Sequence, residues 1–168
     1  VLGAGGTIRN LTVSGRVAIT GSGSSSYGIG GIVGQLGGAG TIENCTNRAA
    51  VSGNFNTAGI VGRVGSSGGT IRACANLGDI SGDNSVGGIV GQAYYKVTVP
   101  HCYNRGAVTA SVSKAGGIVG FMDDSGAKFS NCYTTGAVTA KSDYNPVVGK
   151  KSSGSLSGCY YLDTLGTD

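Results

Sequence analysis

The sequence predicts an all-β protein, a parallel β-helix (β-solenoid) of about six coils of roughly 28 to 30 residues, and three observations carry that expectation. Gly31-Ile32-Val33-Gly34 recurs as Gly59-Ile60-Val61-Gly62, Gly88-Ile89-Val90-Gly91 and Gly117-Ile118-Val119-Gly120, then in weaker form as Pro146-Val147-Val148-Gly149, at steps of 28, 29, 29 and 29 residues. Cys45, Cys74, Cys102, Cys132 and Cys159 keep nearly the same step, 29, 28, 30 and 27 residues, so the five fill one repeated slot. No window sustains a 3.6-residue period, whereas short Val- and Ile-rich pieces bounded by glycine and asparagine recur throughout.

The first copy is Thr7-Ile8-Arg9-Asn10-Leu11, which aligns with Thr70-Ile71-Arg72-Ala73-Cys74 and places Leu11 in the cysteine slot. Three residues before that slot runs an apolar row of Ile8, Ile42, Ile71, Val99, Phe129 and Leu156. Six residues after it runs another, Val17, Val51, Ile80, Val108 and Val138. Each coil thus offers three β-prone segments: Gly-Ile-Val-Gly, the segment ending at the slot, and the Ala-Val-Thr or Asp-Ile-Ser segment. Such short strands cannot bury an apolar face alone, but stacked coils pair each strand with its copies above and below. At about 4.8 Å per coil, six coils make a rod roughly 25 to 30 Å long. The glycines flanking Ile-Val fit corners that need a positive φ or a close backbone approach. Asn47, Asn76 and Asn104, two residues after their cysteines, are expected at a corner in the left-handed conformation, their amides hydrogen-bonded along the stack.

Composition agrees with a solenoid and narrows the function. Apolar residues reach 39% and charged ones only 12%, the reverse of a disordered chain, and the 34 glycines do not fall at every third position as collagen demands. The net charge of +4 is scattered, with no basic run longer than Lys150-Lys151, so nucleic-acid binding is not expected. No apolar stretch approaches the ~20 residues of a membrane-spanning helix, and membrane insertion of this segment is not expected. One solenoid domain should occupy residues 1–168, with repeats over about 5–162. Because Val1 falls inside a repeat, the sequence reads as a piece of a longer surface protein.

Gly-Ile-Val-Gly followed by Asn131-Cys132-Tyr133 and by Gly-Ala-Val at Gly106–Val108 and Gly136–Val138 resembles the GLUG-type repeats of large bacterial surface proteins. Those include adhesins and the non-catalytic regions of IgA-cleaving metallopeptidases. The resemblance implies an extracellular or cell-surface bacterial location and an adhesin-like binding or spacer module without catalysis. The rival reading is a fragment of a polysaccharide-processing β-helix enzyme.

The chemistry legible in single residues is sparse. The cysteine column with Leu11 reads as a ladder of buried, reduced thiols: an odd number in one slot cannot all pair, parallel in-register side chains fit disulfide geometry poorly, and thiols in a line do not surround a metal. Neither a metal nor a cofactor is expected. His101 precedes Cys102 and faces the opposite side of its strand, so the two form no catalytic dyad. Asp123-Asp124, the one tight acidic pair, reads as a solvated turn with no opposing carboxylate for two-carboxylate hydrolysis, although its oxygens are of the kind that bind Ca²⁺. Ser52, Ser81, Thr109 and Thr139 form a row, and Thr41 and Thr70 part of another, but without the flat Thr-x-Thr array of an ice-binding face. Tyr103, Tyr133 and Tyr160 each follow the slot cysteine, so inward thiols put the three rings outward on successive coils. They are the candidate binding strip for carbohydrate or a host surface protein, with Tyr94, Tyr95 and Tyr161 as extensions. Arg48 and Arg105, beside the asparagine row, are the next surface to consider.

Overall fold

The computed structural model describes residues 1–19, 28–66 and 68–163. All the regular elements among them are strands, stacked in parallel as a β-solenoid. Each complete coil contributes to four sheets, one more than the three segments expected, and the last described coil to two. The first sheet has six strands, from Thr7–Arg9 to Ser155–Ser157, and the second has six two-residue strands, from Thr12–Val13 to Tyr160–Tyr161. The third has seven, from Arg16–Ala18 to Val138–Asn145, and the fourth has five, from Val33–Leu36 to Val148–Lys151. The second sheet is the unexpected one, because a two-residue strand is too short for alternation to be seen in sequence.

The repeated slots become physical columns. Ile8, Ile42 and Ile71 are direct partners, as are Phe129 and Leu156, and Val51, Ile80, Val108 and Val138 follow one another in the third sheet. One apolar cluster joins the first and fourth sheets through residues such as Ile60, Ile89, Ile118 and Phe129, and a smaller one lines the third sheet around Val51, Ile80 and Val108. Variation in coil length is absorbed locally, for example by the register shift between Ala110 and Ser113.

The corner between the first and second sheets turns one residue before the cysteine slot. Asn10, Asn44, Ala73, His101, Asn131 and Gly158 all occupy it with φ between 52° and 57°. Alanine and histidine there cost about 1 kcal/mol each, which the stack on either side must offset. A second left-handed column, Asn56, Ser85, Lys114 and Asp143, kinks the third sheet.

Asn47, Asn76 and Asn104 are therefore not the left-handed corner residues expected. They lie on strands of the second sheet with 0% exposure, because alternation from the inward cysteine turns the residue two positions later inward as well. The hydrogen-bonded stack expected of them is present. Asn47 Nδ2 donates to Asn76 Oδ1 at 2.7 Å, Asn76 Nδ2 to Asn104 Oδ1 at 2.7 Å, and Asn104 Nδ2 to Thr134 Oγ1 at 3.2 Å. Each amide also donates to the carbonyl two residues on, at Ala49, Gly78 and Gly106.

This amide ladder explains the glycine that opens each Gly-Ile-Val-Gly. A Cβ on Gly59 would overlap Asn76 Oδ1 and the Gly88 carbonyl, and one on Gly88 would overlap Asn104 and the Gly117 carbonyl. Close approach, not a positive φ, is the requirement at this column. A side-chain-free stripe on one wall leaves room for the asparagine stripe on the other.

The outermost described coils have a neighbour on one side only, and the cysteine column reflects it. Leu11 sits in the slot, its carbonyl accepting the Thr46 N–H at 2.8 Å, but it is 40% exposed rather than buried. Cys159 is half-buried, whereas Cys45, Cys74, Cys102 and Cys132 are buried. All five are free thiols.

Candidate functional site

Tyr103, Tyr133 and Tyr160 stand in register on three successive strands of the second sheet, opposite in facing to the buried Asn104 and Thr134. The rings of Tyr103 and Tyr133 are parallel within 3°, with centroids 5.0 Å apart. Exposure climbs along the row from partial at Tyr103 to 44% at Tyr133 and 69% at Tyr160. Ala75, the outward residue one coil before Tyr103, is 5% exposed despite facing solvent. This is the pattern of overlapping shingles, each ring shielding the coil before it. Ring faces are shared inside the row, so a partner meets edges, phenol hydroxyls and the open ring of Tyr160.

The proposed extensions fall elsewhere. Tyr94 and Tyr95 follow Val90–Ala93 at the corner between the fourth and first sheets, on a different side of the coil. Tyr161 pairs with Thr134, in the column of the amide ladder, and is 52% exposed on the outermost coil. Arg48 and Arg105 are exposed, but the asparagines beside them are buried, so they form no common surface row. Pairing also shows a longer hydroxyl row than sequence reading found. Thr7, Thr41, Thr70 and Thr98 are in register on the first sheet, and Thr139 Oγ1 reaches Thr109 Oγ1 at 3.3 Å on the third. Thr7 and Thr98 belong to that row by the same offset, each standing one residue before a member of the apolar column, Ile8 and Val99.

The family model described as the GLUG motif matches residues 25–52, about one coil that includes Gly31–Gly34, Cys45 and Val51. The crystal structure of a putative immunoglobulin A1 protease from Bacteroides ovatus shares this fold with a TM-score of 0.78 and 26% identity, covering 95% of this chain and 52% of that one. Residues 25–52 carry a GLUG motif. The chain spans about half the length of the solved chain it matches. No curated protein matches it.

In the GLUG motif and in its copies along the chain the repeated residues serve the stack: glycine for the amide ladder, Ile and Val for the core, cysteine for the inward slot. Each thiol lies near two carbonyls, as with Cys102 Sγ at 3.4 Å from Ile71 O and 3.5 Å from Pro100 O. Burial pushes the thiols of Cys45 and Cys159 up from their ordinary range. Cys102 is held well above it, first by hydrogen bonding with Cys132 and Cys74 and then by burial, while the same bonds lower those two neighbours. Alkylation of native protein should therefore reach Cys159 first and slowly, the other four reacting after denaturation. Rapid native labelling of all five would overturn the ladder. A serine hydroxyl at position 102 has carbonyl acceptors within reach, so Cys102→Ser should cost about 1 kcal/mol, the low end of the 1 to 3 expected for an unpartnered buried hydroxyl. Urea titration measures it.

His101 is exposed at its left-handed corner. Asp124 Oδ1 caps its own turn by accepting the Gly126 N–H at 2.7 Å.

Proposed function

We propose that this solenoid is a non-catalytic, adhesin-like binding module of a secreted or cell-surface bacterial protein, contacting glycan or a host protein through Tyr103, Tyr133 and Tyr160. The observation that supports it is the registered row of outward tyrosines, whose exposure rises toward Tyr160. Exposed aromatics carrying a polar tip are side chains that supply contact energy on shallow surfaces. The GLUG match and the likeness to the Bacteroides ovatus protein support a surface or secreted setting. The word protease describes that whole protein, roughly half of which lies outside the match.

Replacing all three tyrosines with serine tests the reading. Binding on a glycan array or to host-cell protein should fall at least tenfold while the melting temperature drops by only a few degrees, since exposed side chains add little stability. Collapse of the fold together with binding would make the row a structural ladder, and unchanged binding with normal stability would remove it as the site. Release of reducing sugar from the polysaccharides tested would favour the rival enzyme reading instead.

A further inference from the structure

We propose that Tyr94 and Tyr95 form a separate site for a neutral pyranose at the corner between the fourth and first sheets. Leu36, Val64, Ala93, Met122 and Lys151 are in-register partners, so the two residues that follow each of them are equivalent. Those pairs are Gly37-Gly38, Gly65-Ser66, Tyr94-Tyr95, Asp123-Asp124 and Ser152-Ser153. The corner accepts glycine, serine or aspartate, and folding does not demand an aromatic pair there.

The pair is held firmly. Its rings meet edge to face, centroids 5.1 Å apart at 79°, and the Arg63 guanidinium lies 5.1 Å from the Tyr94 centroid, a cation–π contact that fixes the ring. The backbone on both sides is tied to neighbouring coils, Gly68 N–H donating to Lys96 O at 2.9 Å and Asp123 N–H to Ala93 O at 3.1 Å. Yet 42% of Tyr94 and 38% of Tyr95 remain exposed.

The surroundings supply the rest of a sugar site. Toward the preceding coil stand Gly65 and Ser66, which are small, and toward the following coil stand the partly exposed Asp123 and Asp124. An aromatic wall takes the C–H face of a pyranose, and carboxylates accept its hydroxyls through charge-assisted hydrogen bonds. Arg63 and Lys96 offset the charge of the two carboxylates, so the corner carries no net positive charge to select an anionic sugar. Tyr103 and Tyr133 are stacked in parallel rather than edge to face, each giving one ring face to the other.

The ¹⁵N-labelled region would be titrated with the methyl glycosides of glucose, galactose and mannose, with N-acetylglucosamine, and with glucuronic acid. At least one neutral sugar should shift the Tyr94, Tyr95, Ser66 and Asp123 amides saturably, with Kd on the order of 1 to 10 mM for a single ring. Y94A/Y95A should weaken that binding at least tenfold, D123N several-fold, and Y103S/Y133S/Y160S not at all. That last variant separates this site from the tyrosine row, since either can fail without the other. No saturable shift up to about 100 mM, an equal response in Y94A/Y95A, or a response confined to glucuronic acid would each overturn the assignment. Should Y94A/Y95A fail to fold, D123N decides, and unchanged affinity in that variant overturns it.

Discussion

Gly88→Ala is expected to destabilise the solenoid by about 3 kcal/mol or more and to lower its melting temperature by roughly 6 to 12 °C. The added methyl has nowhere to go: the Gly117 carbonyl on the next coil and the Asn104 side chain across the core both lie inside its contact distance. Neither is the flexible end of a side chain, since one is the backbone of the bend between two strands and the other is held at both ends of its amide. Relief would require moving the fourth sheet away from the second. Gly37→Ala is the control, because its Cβ would meet nothing nearer than 3.5 Å and the melting point should stay within about 2 °C. Equal effects of the two substitutions in thermal unfolding would refute the paired glycine and asparagine stripes.

Asn76→Ala should cost about 3 to 5 kcal/mol. It strands the Asn47 Nδ2–H donor and two acceptors, Asn104 Oδ1 and Gly78 O, all within a buried column, and leaves a void where the amide was. Asn76→Asp adds a pH signature. The ionised carboxylate accepts from Asn47 but faces two further oxygens with no proton to offer, so its folded-state pKa must rise above the unfolded value of about 3.9. A raised folded pKa gives relative stability that is present below that value and lost as pH rises through the folded pKa. Urea unfolding should therefore show a larger deficit against wild type at pH 7 than at pH 4. A pH-independent deficit, or one below about 1 kcal/mol for the alanine variant, would show that the ladder contributes little.

Most of the coil was legible before any coordinates. The steps between Gly-Ile-Val-Gly copies and between cysteines were enough to name in advance the partners of Ile42, Ile71, Val51, Ile80 and Val108. Outward facing of Tyr103, Tyr133 and Tyr160 followed from alternation alone. The errors have specific causes. Asn47, Asn76 and Asn104 were placed in a left-handed turn because asparagine favours one, but that corner lies three residues earlier, at Asn44, Ala73 and His101, where composition is mixed. Tyr94 and Tyr95 were joined to the Tyr103 row by residue type, and the turn after Ala93 separates them.

Coil length, column membership and the parallel stack were determined by the sequence itself, because in a solenoid each coil meets only its neighbours and a local period propagates without further information. Tertiary structure decided the rest: that the asparagines lie inside against a glycine wall, that Leu11 and Cys159 are only partly covered while the thiols between them are sealed, and that the tyrosines divide between two surfaces. Those outcomes depend on what stands across the core or one coil away, and a period along the chain carries no record of either.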